Sequence, residues 1–124
     1  MTGQRLNLKQ IRIKTGVLRR LGKEKLSYKK EAELQQVRFE KMRNEGRDEY
    51  DIKKMGQVVQ ESLMMIPHCH KRLVAAHADL ASVLEAYSDV VDAIETEELE
   101  QYNAALEQLK QAEEQMRIEE IEDI

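Results

Sequence analysis

Seven apolar positions, each seven residues after the last, constrain the fold of this chain more than any other feature. They are Ile52, Val59, Ile66, Leu73, Leu80, Tyr87 and Ile94. A second row follows four residues after the first and contains Gly56, Leu63, His70, His77, Leu84 and Val91. A seven-residue repeat kept over this length is typical of one long helix in a left-handed bundle or coiled coil. We therefore predict helix 2 over about residues 52–94.

Pro67 lies inside this predicted helix. Proline lacks an N–H group and its ring clashes with the preceding turn, so it usually breaks or bends a helix. The seven-residue spacing of Val59, Ile66 and Leu73 continues across it, whereas an intervening turn would shift the register. We therefore expect helix 2 to continue through Pro67 with a kink near Leu63 to Pro67.

Helix 1 is predicted over about residues 7–44. Asn7 is a suitable N-cap, with Gln10 three residues later to complete a capping box. Gly46 accepts the left-handed conformation that ends a helix. Polar residues interrupt the apolar rows of this helix at Lys14, Lys25 and Gln35. The rows themselves contain Ile11, Leu18, Leu21, Tyr28, Ala32, Phe39 and Met42.

A third, shorter helix is predicted over about residues 97–118, with Thr96 as its N-cap and an acidic tail after Met116. Asp51 is the expected N-cap of helix 2, with Asp48 as the alternative. Because the connections are short, neighbouring helices run antiparallel. The sequence therefore predicts an all-α fold, a single domain built as an elongated up-down-up three-helix bundle.

The two ends of the chain carry opposite charge. Residues 1–46 contain thirteen Lys and Arg against five Asp and Glu, whereas residues 93–124 contain two against eleven. In an up-down-up bundle helix 3 runs parallel to helix 1, so we expect ion pairs between them, each contributing about 0–1 kcal/mol if exposed.

Composition excludes several other classes of protein. Aromatic residues make up 4% of the chain, with five Gly and one Pro, too few for the strands and turns of a β-sandwich or barrel. No stretch approaches the 18 apolar residues of a membrane span, and the start lacks the apolar region of a signal peptide. The single Cys69 fits a reducing compartment. The prediction is a cytoplasmic helical protein that does not bind membranes.

The cluster of His68, Cys69, His70 and His77 is the most metal-like feature of the sequence. Zinc needs three or four converging nitrogen or sulfur ligands. However, His70 and His77 lie two turns apart on a helix, about 10.5 Å. No phosphate-binding loop or activated nucleophile accompanies them. We therefore predict no metal, no cofactor and no enzymatic activity.

The stretch from Lys9 to Lys30 is strongly basic, with Glu24 as its one acidic residue. A basic face can bind nucleic acid, an anionic membrane or an acidic protein. The isoelectric point near 5.5 and the scarcity of aromatic residues disfavour nucleic acid. A solvated face and an acidic protein partner are the favoured interpretations.

Several runs of residues together resemble one known family. They read IRIKTGVLRRL at 11–21, KEK at 23–25, EKMR at 40–43, YDIKK at 50–54, QES at 60–62 and MMIP at 64–67, with RL, AA and DL at 72–73, 75–76 and 79–80. Over about residues 8–110 the chain resembles tubulin-specific chaperone A, also called tubulin-folding cofactor A. The acidic tail after Met116 carries no motif of that family.

The resemblance implies a non-enzymatic three-helix bundle in the cytoplasm, associated with the cytoskeleton. Such a chaperone captures β-tubulin folding intermediates released from the cytosolic chaperonin and holds them for assembly of the αβ-tubulin heterodimer. β-Tubulin and other tubulin-folding cofactors are the implied partners, and the chain is expected to be a monomer or a weak homodimer. The alternative is a homodimeric coiled-coil adaptor that self-associates through the apolar seam of helix 2.

Two surfaces are candidates for binding β-tubulin. Because the resemblance implies an acidic client, the basic face of Arg19, Arg20 and Lys23 is the first. The second surrounds the predicted kink, where a thin bundle cannot bury both methionines of the Met64-Met65 pair. Its residues are Tyr50, Asp51, Lys53, Lys54, Met64 and Met65.

Overall fold

A computed structural model of the chain describes residues 7–89 and 96–122. It contains three helices, α1 (Leu8–Asn44), α2 (Glu49–Glu85) and α3 (Thr96–Glu122), and no strand within these described ranges. The predicted all-α fold with three helices is confirmed. None of the described helices is both long enough and apolar enough to cross a membrane.

The contacts group the chain into two compact units, and the single domain stays a prediction. The first, the three-helix unit, contains residues 1–22 and 72–124, and so the start of α1, the end of α2 and all of α3. The second, the hairpin unit, contains residues 23–71, and so the end of α1 and the start of α2.

In the three-helix unit the start of α1 lies against the end of α2. Lys14 forms an ion pair with Asp79, and the backbone amide of Asn7 donates to the hydroxyl of Tyr87 at 3.3 Å. The side chain of Asn7 caps α1 by accepting from the amide of Gln10 at 3.0 Å. In a capping box the side chain of Gln10 would accept from the amide of Asn7. Here the hydroxyl of Tyr87 accepts from that amide instead.

The end of α2 also lies against α3. The hydroxyl of Tyr102 donates to the carbonyl of Leu84 at 3.5 Å, and His77 Nε2 lies 3.1 Å from Glu113 Oε1. Higher numbers in α3 thus meet lower numbers in α2, so these helices are antiparallel. The three-helix unit therefore has the predicted up-down-up order, with α1 parallel to α3.

The core of the three-helix unit combines apolar residues from all three helices. They are Ile11, Leu18, Leu21, Leu73, Leu80, Leu84, Tyr102, Ala105, Leu109 and Ala112. Burying one leucine of this set stabilises a fold by about 1.5–3 kcal/mol relative to its exposed state. The seven-residue row of α2 supplies Leu73 and Leu80 to this core, as predicted.

The hairpin unit turns at Gly46. The φ angle of this glycine is 66°, its amide donates to the carbonyl of Arg43, and the amide of Arg47 donates to the carbonyl of Met42, both at 3.1 Å. This pair of hydrogen bonds around a left-handed residue is a Schellman motif. The prediction that Gly46 ends the first helix is confirmed.

One residue of the second predicted row, Leu63, is exposed in the hairpin unit, whereas the other members of that row in this unit are half-buried. Leu63, four residues after Val59, is 43% exposed, whereas Ser62 and Cys69 are buried. Residues three and four positions after a buried residue flank it on opposite sides of a helix. The hairpin unit contains segments of only two helices, so the side of α2 that carries Ser62 is covered and the side that carries Leu63 is not.

Helix α2 begins and ends earlier than predicted. Its N-cap is Asp48, whose carbonyl accepts from the amide of Ile52 at 3.0 Å, so the alternative to Asp51 was correct. Its last residue is Glu85, nine before the predicted end. There the hydroxyl of Ser88 donates to the carbonyl of Glu85 at 2.9 Å, a bond that satisfies a helix-end carbonyl.

The end of helix 2 was predicted too late because the seven-residue apolar repeat of the sequence continues after Glu85, where the helix ends. Tyr87 still packs against the core of the three-helix unit, although it lies in the turn after α2. Val91 and Ile94 lie outside the described residues. Helix α3 continues to Glu122, through the segment interpreted from sequence as a tail.

Helix α2 is continuous through Pro67, as predicted. The kink and the left-handed twist stay predictions.

Gly16 lies inside α1 without a close neighbour. A methyl group added there would meet no atom within 4 Å. Because glycine costs about 0.5–1 kcal/mol relative to alanine inside a helix, Gly16→Ala is expected to raise the free energy of unfolding by that amount. Urea unfolding followed by circular dichroism measures the change. Gly46→Ala is the control and should destabilise, because alanine rarely adopts a φ of 66°. A loss of stability in Gly16→Ala would contradict the open space around this residue.

Candidate partner-binding surfaces

Two of the three histidines, His70 and His77, form contacts between helices. Lys25 Nζ donates to His70 Nδ1 at 3.0 Å within the hairpin unit, and His77 lies beside Glu113 within the three-helix unit. Cys69 is buried, as expected for a small apolar side chain. In residues 7–89 and 96–122 no three His, Cys, Asp or Glu side chains are grouped so that they could hold a metal ion.

Arg19 and Arg20 are exposed neighbours on α1 of the three-helix unit. The Nε of Arg19 donates to Oε1 of Gln108 at 3.2 Å, so an amide of α3 orients this guanidinium. Lys23, the third residue of the predicted basic face, is the first residue of the hairpin unit and is also exposed. The predicted ion pairing between α1 and α3 stays a prediction.

The residues predicted around the kink lie mostly on one side of α2. At about 100° per residue, Tyr50, Lys53, Lys54 and Met64 fall within an arc of about 100°, opposite the buried Val59. We call these four residues the α2 outer face. Met64 is 70% exposed, and the ammonium of Lys54 lies 5.1 Å from the ring centroid of Tyr50, a cation–π contact.

Asp51 and Met65 both lie beside the α2 outer face, on the side of Lys54. Asp51 is exposed, whereas Met65 is half-buried. The prediction that Met64 and Met65 are not both buried is confirmed, and Met64 is the exposed one.

The structure also shows a surface that the sequence did not predict. Leu26, Leu34 and Val37 are exposed on α1 of the hairpin unit, with Leu34 at 69% and Val37 at 65%. At about 100° per residue they fall within an arc of about 80°, on the side of α1 opposite the buried Ala32. The same arc carries Lys30 as well as Lys23 and Lys41, with Glu33 at its edge. We call these residues together the α1 outer face.

In the sequence, the apolar residues of the α1 outer face are distinguished only by their absence from the predicted core. Leu26, Leu34 and Val37 are large apolar residues that belong to neither of the predicted core rows of helix 1. Isolated exposed leucines are common on protein surfaces, whereas several large exposed apolar residues on one side of a helix are informative. Only the packing of the hairpin unit shows that these three form such a group.

Comparison with known proteins identifies the family. Residues 7–109 match the family model of tubulin binding cofactor A. Tubulin-specific chaperone A of Homo sapiens is 52% identical over 91 residues, which cover 73% of this chain and 84% of that relative. The Gallus gallus protein of the same name is 48% identical over 103 residues, covering 83% of this chain and 93% of that relative.

Solved structures agree with the sequence match. The structure of human tubulin chaperone cofactor A superposes with a TM-score of 0.69 and 47% identity, covering 86% of this chain and 97% of the other. The cofactor A structure from Leishmania major has a TM-score of 0.72 at 27% identity, covering 90% and 98%. The chain therefore belongs to the tubulin binding cofactor A family.

Proposed function

We propose that the protein is a tubulin-folding chaperone. It captures β-tubulin folding intermediates released from the cytosolic chaperonin and holds them for assembly of the αβ-tubulin heterodimer. The observation that carries the proposal is the match to relatives named tubulin-specific chaperone A, at about half identity over most of the chain. The proposed setting is the cytoplasm, in association with the cytoskeleton. β-Tubulin and other tubulin-folding cofactors are the partners, and neither a cofactor nor catalysis is involved.

The exposed side chains support a mechanism of binding along helix surfaces. Arg19 and Arg20 attract an acidic client and direct its approach, since complementary charge raises the rate of encounter. The hydrogen bond from Arg19 to Gln108 holds one guanidinium in place before the client arrives, which lowers the entropy lost on binding. This basic surface, together with Lys23, is the first proposed contact.

The α2 outer face is the second proposed contact, with Asp51 and Met65 at its border. Aromatic residues carry much of the energy of protein interfaces, and methionine adapts its shape to different partners. Tyr50 and Met64 provide one of each. The two surfaces are alternatives that mutagenesis separates.

Native-gel capture tests the function directly. Newly folded β-tubulin is released from chaperonin in the presence of the protein, with α-tubulin and actin as controls. We expect a shifted band with β-tubulin alone. Equal retention of all three proteins, or of none, would overturn the proposal.

Reversing the two arginine charges is the sharpest test of the first surface. Arg19→Glu combined with Arg20→Glu is expected to weaken β-tubulin capture about tenfold or more, because attraction to an acidic client becomes repulsion. The remaining capture should also depend less on salt concentration. Titration on native gels at two ionic strengths measures both effects.

The matched control is Lys9→Glu with Arg12→Glu, which makes the same change of charge at two other exposed positions of α1. This control should keep most of the capture. If instead the Arg19 and Arg20 variant captures β-tubulin at full strength, and Tyr50→Ala with Met64→Ala does not, the client binds the α2 outer face.

The alternative of a homodimeric coiled-coil adaptor needs a free apolar seam on α2. Leu73, Leu80 and Leu84 of that seam are buried inside the three-helix unit. This part of the seam is therefore closed to a second copy, and the packing does not favour the adaptor. The predicted monomer or weak homodimer stays a prediction.

A further inference from the structure

The α1 outer face combines apolar and cationic groups in a way that fits an acidic amphipathic segment. Leu26 and Val37 lie eleven residues apart, about 16 Å along a helix. Lys23, Lys30 and Lys41 share this strip with one carboxylate, Glu33, and Lys41 Nζ lies 4.0 Å from the carboxylate of Glu45 outside it. Amphipathic helices bind apolar surfaces through side chains that recur every three or four residues.

Residues 117–124 of the same chain have the complementary chemistry. They read RIEEIEDI, with four carboxylates against one guanidinium. Ile118 and Ile121 are three residues apart, the spacing of neighbours on one side of a helix, and the backbone of α3 is helical to Glu122. Residues 117–122, the described helical part of this segment, extend about 9 Å, which is more than half the length of the apolar strip. The segment lies beyond residue 109, where the family match ends.

We propose that the α1 outer face of one copy binds residues 117–124 of a second copy. The isoleucines cover Leu26, Leu34 and Val37, while the carboxylates lie near the lysines. An eight-residue segment buries far less area than a standard protein interface, so the dissociation constant should be on the order of 100 μM. Charge attraction across an exposed contact is screened by salt, so 0.5 M NaCl should weaken association about tenfold.

Sedimentation velocity of the full chain tests the contact over a concentration series. In low salt the average sedimentation coefficient should rise with concentration, and in 0.5 M NaCl it should rise much less. Removing residues 117–124 should abolish the rise, as should Leu34→Glu combined with Val37→Glu. Circular dichroism verifies that each variant keeps its helical content.

The matched control is Val58→Glu with Met64→Glu, which adds two carboxylates at exposed apolar positions on α2 of the same unit. This control should self-associate like the unchanged chain. Association that survives removal of residues 117–124, or that the control loses to the same extent as the α1 variant, would overturn the proposal.

Mixing experiments test the pairing itself. The Leu34 and Val37 variant keeps its acidic segment, and the shortened chain keeps its α1 outer face, so a mixture should associate although each alone does not.

Reversing the charges on both sides of the contact is a second test. Glu119→Lys with Glu120→Lys should weaken association, and adding Lys30→Glu with Lys41→Glu to the same chain should recover it. The proposed contact would be contradicted if the mixture stayed monomeric. It would also be contradicted if the chain with both pairs of charges reversed did not regain association. Tubulin capture is no part of these measurements, so their outcome is independent of the proposed function.

Discussion

Replacing Leu73 by alanine is expected to lower the free energy of unfolding by about 3 kcal/mol. Leu73 is 0% exposed and belongs to the core of the three-helix unit, to which all three helices contribute. Truncation removes apolar contacts and leaves a cavity that the neighbours fill only in part, at a cost of about 2–5 kcal/mol for leucine. Urea unfolding followed by far-ultraviolet circular dichroism measures the loss as a lower midpoint.

The neighbouring residue provides the control. Val74 follows Leu73 on α2 but is exposed, so Val74→Ala should cost under about 1 kcal/mol. Equal losses in the two variants would show that the seven-residue row of α2 does not distinguish core from surface.

Replacing Lys25 by alanine is expected to cost about 2–4 kcal/mol, a large effect for a lysine. Its side chain is 1% exposed, and Nζ donates to His70 Nδ1. Alanine removes both the buried alkyl stem and this donor, so a cavity forms and the imidazole loses a hydrogen bond. The same urea titration measures the loss.

Lys25→Met separates the two contributions. Methionine keeps most of the buried stem but not the ammonium, and swaps that conserve volume usually cost less than about 1.5 kcal/mol. We expect the methionine variant to lie between the alanine variant and the unchanged chain. If Lys25→Ala itself had no effect, the side chain could not be a buried part of the hairpin unit.

Sequence periodicity predicted the three helices and most of the buried residues. The residues of one seven-residue row lie on the same side of a helix, and that side is buried wherever another helix packs against it. Ile11, Leu18 and Leu73 are buried as their spacing predicts. Lys25 looked like an interruption of its row, yet it occupies the core position, because a long stem can be buried when its ammonium finds a partner such as His70. The hydropathy of lysine alone therefore could not predict that Lys25 is buried.

The side on which a second row is buried could not be predicted for the hairpin unit. Ser62 and Leu63 flank the same buried position, and hydropathy favours Leu63. The covered side is decided by where the neighbouring helix lies, and Ser62 is on that side, donating to Oε1 of Gln35. Tertiary packing here overrides the preference of a single side chain.

The candidate surfaces, like the core, could be predicted only in part from the sequence. The runs of residues that resemble a known family led to the correct family, and the limited room in a thin bundle predicted one exposed methionine in the Met64-Met65 pair. The α1 outer face could not be predicted because a seven-residue apolar repeat marks the residues that a bundle buries, and Leu34 and Val37 lie outside that repeat. Leu34 and Val37 become conspicuous only when the structure leaves them exposed.

The buried side chains of the hairpin unit have a consequence for its local stability. They are Lys25, Ala32, Val59, Ser62 and Cys69, a set with little apolar area compared with the leucine-rich core of the three-helix unit. Regions with few buried apolar contacts open at a lower free energy than the whole protein, so their amide hydrogens exchange by partial unfolding. Residues 23–71 should therefore open and exchange their amide hydrogens while the leucine-rich core stays folded.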